Sequence, residues 1–401
     1  MKYEIREIFE DSVEQAFNDF KDIGATIPGS RIMADKLDIV ILKVKDIDTR
    51  AANILKQEML ARSGDVVTTR DVLSSLGSKT DVIILGNRKS FDSLIKKLIL
   101  QPFGLKALAD DLNTFLEERD RKKPEKLWAG DYELDLENPL IMGILNVTPD
   151  SFSDGGKYLE KENAIKRTVQ MIEQGADIID VGGMSTRPGS SPVDEKEEQN
   201  RVLPIIEEIV KKYDFPVSID TYRSGIAKRA IEAGACIVND ISALRFDDDM
   251  AKIVAKSNAA IVLMHMQGDP KNMQENPQYE DVVDEVYGFL MKRAGIAINE
   301  GIDKEKIIID PGIGFGKKLA HNLKILSRLK DLTSLGHPLL LGVSRKSFIG
   351  MLSDTEVDQR LIGSIAASLW GVFNSADIIR VHDIKETKQA LKVIQAIRDS
   401  G

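Results

Sequence analysis

Ile178-Ile179-Asp180-Val181-Gly182, Val217-Ser218-Ile219-Asp220 and Cys236-Ile237-Val238-Asn239-Asp240 are three short apolar runs that each hold or end on a polar residue. An amphipathic stretch, Arg223–Ala233, separates the second from the third. Working outward, the same unit recurs. Leu140–Asn146 precedes these runs, and Ala260–His265, Ile307–Asp310, Leu339–Ser344 and Ile378–His382 follow them, with Ala164–Gln174 and His321–Leu329 at helical spacing between. Strands buried on both faces read as continuous apolar runs rather than alternating ones. Eight such strand-helix repeats in about 260 residues predict a TIM (β/α)8 barrel. A doubly wound open sheet is the competing fold, but it calls for a glycine-rich dinucleotide turn after its first strand. Here the first run leads into Asn146-Val147-Thr148-Pro149-Asp150 instead.

Upstream the pattern is different. Asp38–Val44 and Thr80–Gly86 are apolar runs of strand length that read as buried strands, and Ala51–Arg62 and Ser90–Leu100 show helical spacing. The charged run Glu117–Lys126 reads as the end of a helix, to about Arg119, and then a connector. The expected organisation is an accessory α/β (or α+β) domain over 1–123, a linker and barrel-closing segment over 124–137, and the barrel over 138–401. The 401 residues are 42% hydrophobic and 30% charged, which suits a globular chain with a sizeable core. A net charge of −9 argues against a nucleic-acid partner. One cysteine, Cys236, excludes an internal disulfide or cysteine-rich zinc site and reads as core. The opening Met1-Lys2-Tyr3-Glu4-Ile5 lacks a signal-peptide apolar core, and no apolar stretch of about 20 residues appears. A cytoplasmic protein without a membrane partner is expected.

In such a barrel the C-terminal ends of the strands face the active site. Asn146, Asp180, Asp220, Asn239 with Asp240, His265, Asp310, Ser344 with Arg345 and Lys346, and Arg380 with His382 stand at those ends. Taken singly, an Asp, Asn or Ser there is as readily a helix cap. Together they point to a site, because a ring of unpaired buried polar groups is costly. Asp220, Asn239 and Asp310 offer acceptors and an amide to a donor-rich planar heterocycle such as an aminopyrimidinone. Arg380 and His382 lie two apart on one strand face and, with Arg187, suit an anion. Gly312-Ile313-Gly314-Phe315-Gly316-Lys317 lacks the spacing of a phosphate-binding P-loop and reads as a flexible loop bringing Phe315 over an aromatic substrate. The four histidines have no metal-ligand spacing, whereas a phosphate-bound Mg²⁺ touching Asn146 is compatible with the chain. Asp247-Asp248-Asp249 reads as a solvated helix start.

These segments resemble the dihydropteroate synthases over about residues 128–399. The resemblance rests on Met142–Gly156, Ile179–Gly189, Ser218–Thr221, Val238–Asp240, Leu263–Met266, Asp310–Gly316, Gly342–Phe348 and Ile379–Asp383. It implies a folate-pathway transferase and sulfonamide target that joins 6-hydroxymethyl-7,8-dihydropterin diphosphate to p-aminobenzoate. It also implies Asp220, Asn239, Met264, Asp310, Lys346 and Arg380 around the pterin. Asn146, Thr186, Arg187, Arg380 and His382 would hold the diphosphate, with Mg²⁺ on Asn146. Thr186, Pro188, Phe315, Lys346 and Ser347 would bound the p-aminobenzoate pocket. Asp220, Lys346, Arg187 and His382 are the catalytic candidates, and a homodimer is expected. Met184 stands where the family usually has Glu. Two other readings stay open: a methyltransferase passing a methyl group from methyltetrahydrofolate to a corrinoid protein, and a non-catalytic pterin-binding protein.

Overall fold

The computed structural model describes Arg6, 12–70, Val72, 77–120, 124–147, 157–184 and 193–399. The chain divides into two compact units, Met1–Arg121 and Lys122–Gly401.

The first unit runs α1 (Val13–Asp22), α2 (Ile27–Ala34), β1 (Ile39–Asp48), α3 (Thr49–Leu60), β2 (Asp65–Val67), β3 (Lys79–Asn87), α4 (Arg88–Leu98) and α5 (Leu105–Asp120). Its antiparallel sheet has the order β1-β3-β2. The last residue of a strand starts the next helix: the Asp48 side chain accepts from the Arg50 amide and that of Asn87 from the Ser90 amide, satisfying helix-start donors. Val40, Val66, Val82 and Ile84 form one core with Leu55, Met59, Phe91, Leu94 and Leu98. The other sheet face leaves Ile39, Ile41, Val67 and Ile83 exposed. These strands are therefore half-buried, not buried on both faces as their apolar runs suggest. An antiparallel sheet needs a helical layer on one side only.

The second unit starts with a hairpin, β4 (Lys126–Ala129) and β5 (Tyr132–Asp135). Eight parallel strands follow: β6 (Leu140–Asn146), β7 (Ile178–Gly182), β8 (Val217–Asp220), β9 (Ile237–Asp240), β10 (Ala260–Met264), β11 (Ile307–Asp310), β12 (Leu340–Gly342) and β13 (Ile378–Val381). Their spatial order is β11-β10-β9-β8-β7-β6-β13-β12, and a parallel bridge from Ile309 to Leu339 closes the circle into a TIM barrel. The outer ring consists of α6 (Lys157–Glu173), α7 (Glu195–Tyr213), α8 (Ser224–Glu232), α9 (Met250–Ala255), α10 (Val282–Asn299), α11 (Leu319–Ser327), α12 (Ser347–Ser353), α13 (Leu361–Phe373) and α14 (Ile384–Arg398). Capping and charge explain where α7 lies. Asp194 accepts from the Lys196 amide, Glu195, Glu197 and Glu198 sit in the first turn, and Lys211 and Lys212 in the last.

The barrel is filled in layers. Leu127, Ala129 and Leu134 of the hairpin pack with Met142, Ile178, Cys236, Ile237, Val262, Ile308, Leu340 and Ile378, which plugs the N-terminal end. Among the described residues, Asp180, Asp220, Asn239, Asp310 and Arg380 stand farther along their strands, toward the opposite mouth. No helix among the described residues is long and apolar enough to cross a membrane.

Candidate active site

Arg380 of β13 is the hub of the mouth. Its Nε donates to Asp180 Oδ2 at 2.6 Å and its Nη2 to Asp220 Oδ2 at 2.8 Å, so one guanidinium spans two strands. Asn239 Nδ2 donates to the same Asp180 oxygen at 3.2 Å. The register puts Asp220 beside both Gly182 and Asn239. Gly182 lies between Asn146 and Asp220: a Cβ there would be in ordinary contact, 3.6 Å, with both Asn146 Oδ1 and the Asp220 Cβ. Burial pushes the Asp220 carboxyl up to about 7; Arg380 opposes this and Asp180 reinforces it. Burial works against the charge on Arg380, yet Asp180 and Asp220 outweigh it and hold its pKa above the ordinary value.

A second cluster faces this one. Asp310 ends β11 beside Met264 of β10, is buried, and accepts from the Gly312 amide at 2.7 Å. Burial raises its pKa, with Lys346 opposing. Lys346, the residue before α12, donates to the Ile313 carbonyl and sits 4.7 Å from the centroid of the Phe315 ring. Burial draws its amine down to about 8, against the pull of Asp310. Met264 packs with Ile241, Met266 and Met273, with Phe315 and Tyr222 against them, giving an apolar wall. The mouth thus combines carboxylates, an amide and an amine with an aromatic and methionine lining.

His382 follows β13 and its Nδ1 lies 3.0 Å from Ser344 Oγ, which fixes the ring. Asn146 ends β6 opposite Gly182, and Ser347 is the exposed first residue of α12. Thr186, Arg187 and Pro188 lie outside the described residues, as does Thr148–Gly156. Met184 receives the Tyr222 hydroxyl at 3.7 Å from its sulfur.

Other strand-end residues turn away from the mouth. Asp240 accepts from the Ser242 and Leu244 amides, a loop cap. Arg345 pairs with Asp383. His265 is buried against Phe289 and bonded to Lys317. Asp247 accepts from the Ser224 amide, so part of the acidic triplet caps a helix. Cys236 is in the core, where burial pushes its thiol up to about 12. The loop read as flexible is instead bonded at several carbonyls.

Sequence reasoning counted Asp180 among the polar residues of the strands but gave it no role in the site. Its signal was an aspartate inside a strand otherwise apolar throughout, where an unpaired carboxylate is costly. Also unforeseen is the fully buried Glu198, which holds Thr221 Oγ1 at 2.8 Å and Arg223 at 2.7 Å behind the Asp220 strand end. No group of three or more His, Cys, Asp or Glu among the described residues is placed to hold a metal ion.

Comparison with known proteins places the barrel in a family. A family described as pterin binding enzyme matches residues 142–382. Dihydropteroate synthase of Haemophilus influenzae is 45% identical over 271 residues, 68% of this chain and 98% of that protein. The Escherichia coli K12 dihydropteroate synthase is likewise 45% identical over 271 residues, covering 68% of this chain and 96% of its own. Among solved structures, Xanthomonas albilineans dihydropteroate synthase with 4-aminobenzoic acid is 44% identical with a TM-score of 0.65, over 68% of this chain and 98% of that one. The same enzyme in complex with 7,8-dihydropteroate is 42% identical, with a TM-score of 0.63 over the same shares.

Proposed function

Because the chain belongs to the pterin-binding enzymes and, among them, to the dihydropteroate synthases, we propose that it condenses 6-hydroxymethyl-7,8-dihydropterin diphosphate with p-aminobenzoate. The products are 7,8-dihydropteroate and diphosphate. The observation that carries this reading is the convergence of Asp220, Asn239, Asp310, Lys346 and Arg380 at one apolar-lined mouth. A pterin presents ring N–H donors and acceptors in one plane, and this set offers carboxylates to the first and an amine and amide to the second.

An arylamine is a weak nucleophile. The C–O bond to diphosphate therefore breaks first, its electron pair leaving with the phosphate, and the amine lone pair then forms the C–N bond while its proton passes to solvent. Asp220 supplies negative charge beside the developing pterin methylene cation. Burial raises the pKa of that carboxyl, so a cation beside it would favour its charged form. Thr186, Arg187, Arg380 and His382 hold the diphosphate. Thr186, Pro188, Phe315, Lys346 and Ser347 bound the acceptor, with the Phe315 ring against its face.

Asn146 offers one hard amide oxygen, and the described residues build no carboxylate cage. This fits Mg²⁺ bound mainly through phosphate oxygens, which would neutralise leaving-group charge.

A homodimer is part of the proposal. Met351, Leu352, Ile362, Trp370 and Phe373 of α12 and α13 are half or more exposed, Ile362 at 81%. A second copy would cover this apolar face. The first unit is taken as accessory and the protein as cytoplasmic.

Incubation with the pterin diphosphate and a panel of arylamines, with products identified by mass, tests the reading. Dihydropteroate is expected. Tight binding of pterin diphosphate with neither product nor diphosphate release would indicate a non-catalytic pterin-binding protein instead.

A further inference from the structure

Lys317 is 3% exposed and has no ion-pair partner among the described residues. Its Nζ lies 2.9 Å from the carbonyl oxygens of both Gly312 and Phe315, 3.2 Å from that of His265, and 2.8 Å from His265 Nδ1. Burial pulls the amine well below its usual pKa, with Asp310 opposing. Filling the same space with methionine would avoid the cost of burying an amine, so the four contacts need a reason.

The loop's course supplies one. Gly312, Gly314 and Gly316 have φ of +64°, +83° and +63°, and a Cβ on Gly312 would stand 1.9 Å from the His265 carbonyl oxygen. Such a path turns some carbonyls, that of Gly312 above all, inward, away from water, and a buried carbonyl needs a donor. Each from Gly312 to Gly316 has one. Lys317 serves Gly312 and Phe315, Lys346 serves Ile313, Gln274 Nε2 serves Gly314 at 2.6 Å and the Tyr279 hydroxyl serves Gly316 at 2.7 Å. His265, which accepts at the back of the amine, is itself fixed edge-on to Phe289, and burial keeps its pKa well below the ordinary value.

We propose that Lys317 is a positioning residue for the acceptor, a buried latch that holds the Gly312–Gly316 loop so that Phe315 is presented to the arylamine. This rests on the dihydropteroate synthase reading. Lys317 touches neither substrate; it acts through the Phe315 carbonyl, and its loss falls on the arylamine more than on the pterin.

In the full-length protein, Lys317→Met is expected to raise the p-aminobenzoate KM at least tenfold while the pterin diphosphate KM and kcat stay within threefold. In a Phe315→Ala background the same change should move the arylamine KM less than twofold, because the latched group is gone. His265→Asn, which keeps an acceptor near the Nδ1 position, should stay near wild type, whereas His265→Leu should behave like Lys317→Met. The His265 pair also decides the matter if Lys317→Met does not fold.

Amide hydrogen exchange over 311–318 in the ligand-free protein gives a readout independent of turnover. The latch predicts exchange at least tenfold faster there in Lys317→Met, or in His265→Leu, with the rest of the barrel unchanged. Unchanged exchange overturns the latch whatever the activity, as do equal rises in both KM values or additive effects with Phe315→Ala. A wild-type protein that makes no dihydropteroate would overturn the proposed reaction, while the exchange experiment still decides the latch.

Discussion

Replacing Arg380 by methionine isolates the central electrostatic feature of the mouth, since methionine fills similar length and removes only the charge and its donors. Arg380 bonds Asp180, whose side chain is fully buried, and Asp220, whose side chain is 10% exposed. Breaking a buried ion pair by deleting one partner costs about 3–5 kcal/mol, because the remaining charge is left without compensation. The cost depends on pH. The Asp220 carboxyl is raised from 3.8 to about 7 in the folded protein. Between those values the folded state holds a proton that the unfolded chain has released, so stability falls as pH rises through that window, by roughly 1.4 kcal/mol per unit at most. At pH 5 Asp220 is protonated with or without Arg380. The variant should then lose less than at pH 8, because the pair with Asp220 is reduced to a hydrogen bond to a neutral carboxyl, worth about 1–3 kcal/mol, while the pair with Asp180 is still broken. At pH 8 it should show the full deficit, which for a domain of this size corresponds to a Tm lowered by roughly 10 °C.

Both tryptophans, Trp128 and Trp370, lie in the barrel unit, so their fluorescence reports its melting without contribution from the first unit. Adding Asp180→Asn and Asp220→Asn to Arg380→Met removes the stranded charges and should recover most of the loss. An Arg380→Met protein as stable as wild type at pH 8, or a triple variant no more stable than the single one, would refute the argument.

Lys346→Ala should lower kcat/KM for dihydropteroate formation at least 100-fold, about 2.7 kcal/mol of transition-state stabilisation; wild-type activity should also fall as pH rises through about 8, where this amine loses its proton. Calorimetry should show p-aminobenzoate binding weakly to the free protein and at least tenfold better with pterin and diphosphate present, with EDTA weakening the effect; equal affinities would exclude that order. Ile362→Glu with Phe373→Glu should convert a dimer to a monomer by sedimentation at unchanged fold, since both side chains are exposed in the single chain. A chain beginning near Lys126 should fold and bind pterin diphosphate normally, because the second unit has its own plugged and closed barrel; normal pterin binding with lost turnover would show that the first unit acts in the reaction.

The barrel was legible because its strands are buried on both faces, so apolar runs and polar stops mark each repeat without ambiguity. The first unit was harder. Ile39, Ile41 and Ile83 make β1 and β3 look buried throughout, yet their alternate residues face solvent on an uncovered sheet. An apolar residue on such a face leaves no trace in a single sequence of which neighbour is absent.

At the mouth, residue types were readable but directions were not. Arg345 and Lys346 are adjacent cations after one strand. The φ of +57° at Arg345 turns the chain so that the first pairs with Asp383 while the second enters the pocket beside Phe315. Asp180 and Asp240 are both buried aspartates near strand ends. One meets Arg380 across the barrel and the other caps its own loop. These distinctions depend on radial direction and on contacts between strands far apart in sequence, which local patterns do not encode. Lys317 is the extreme case: a charged residue next to a glycine-rich stretch reads as solvent-exposed, but the inward carbonyls created by three left-handed glycines need a donor, and the nearest long side chain in the chain supplies it. The same glycines that make the stretch look flexible are thus what require the buried amine, and the loop bearing Phe315 is held by the residue that sequence alone would place in water.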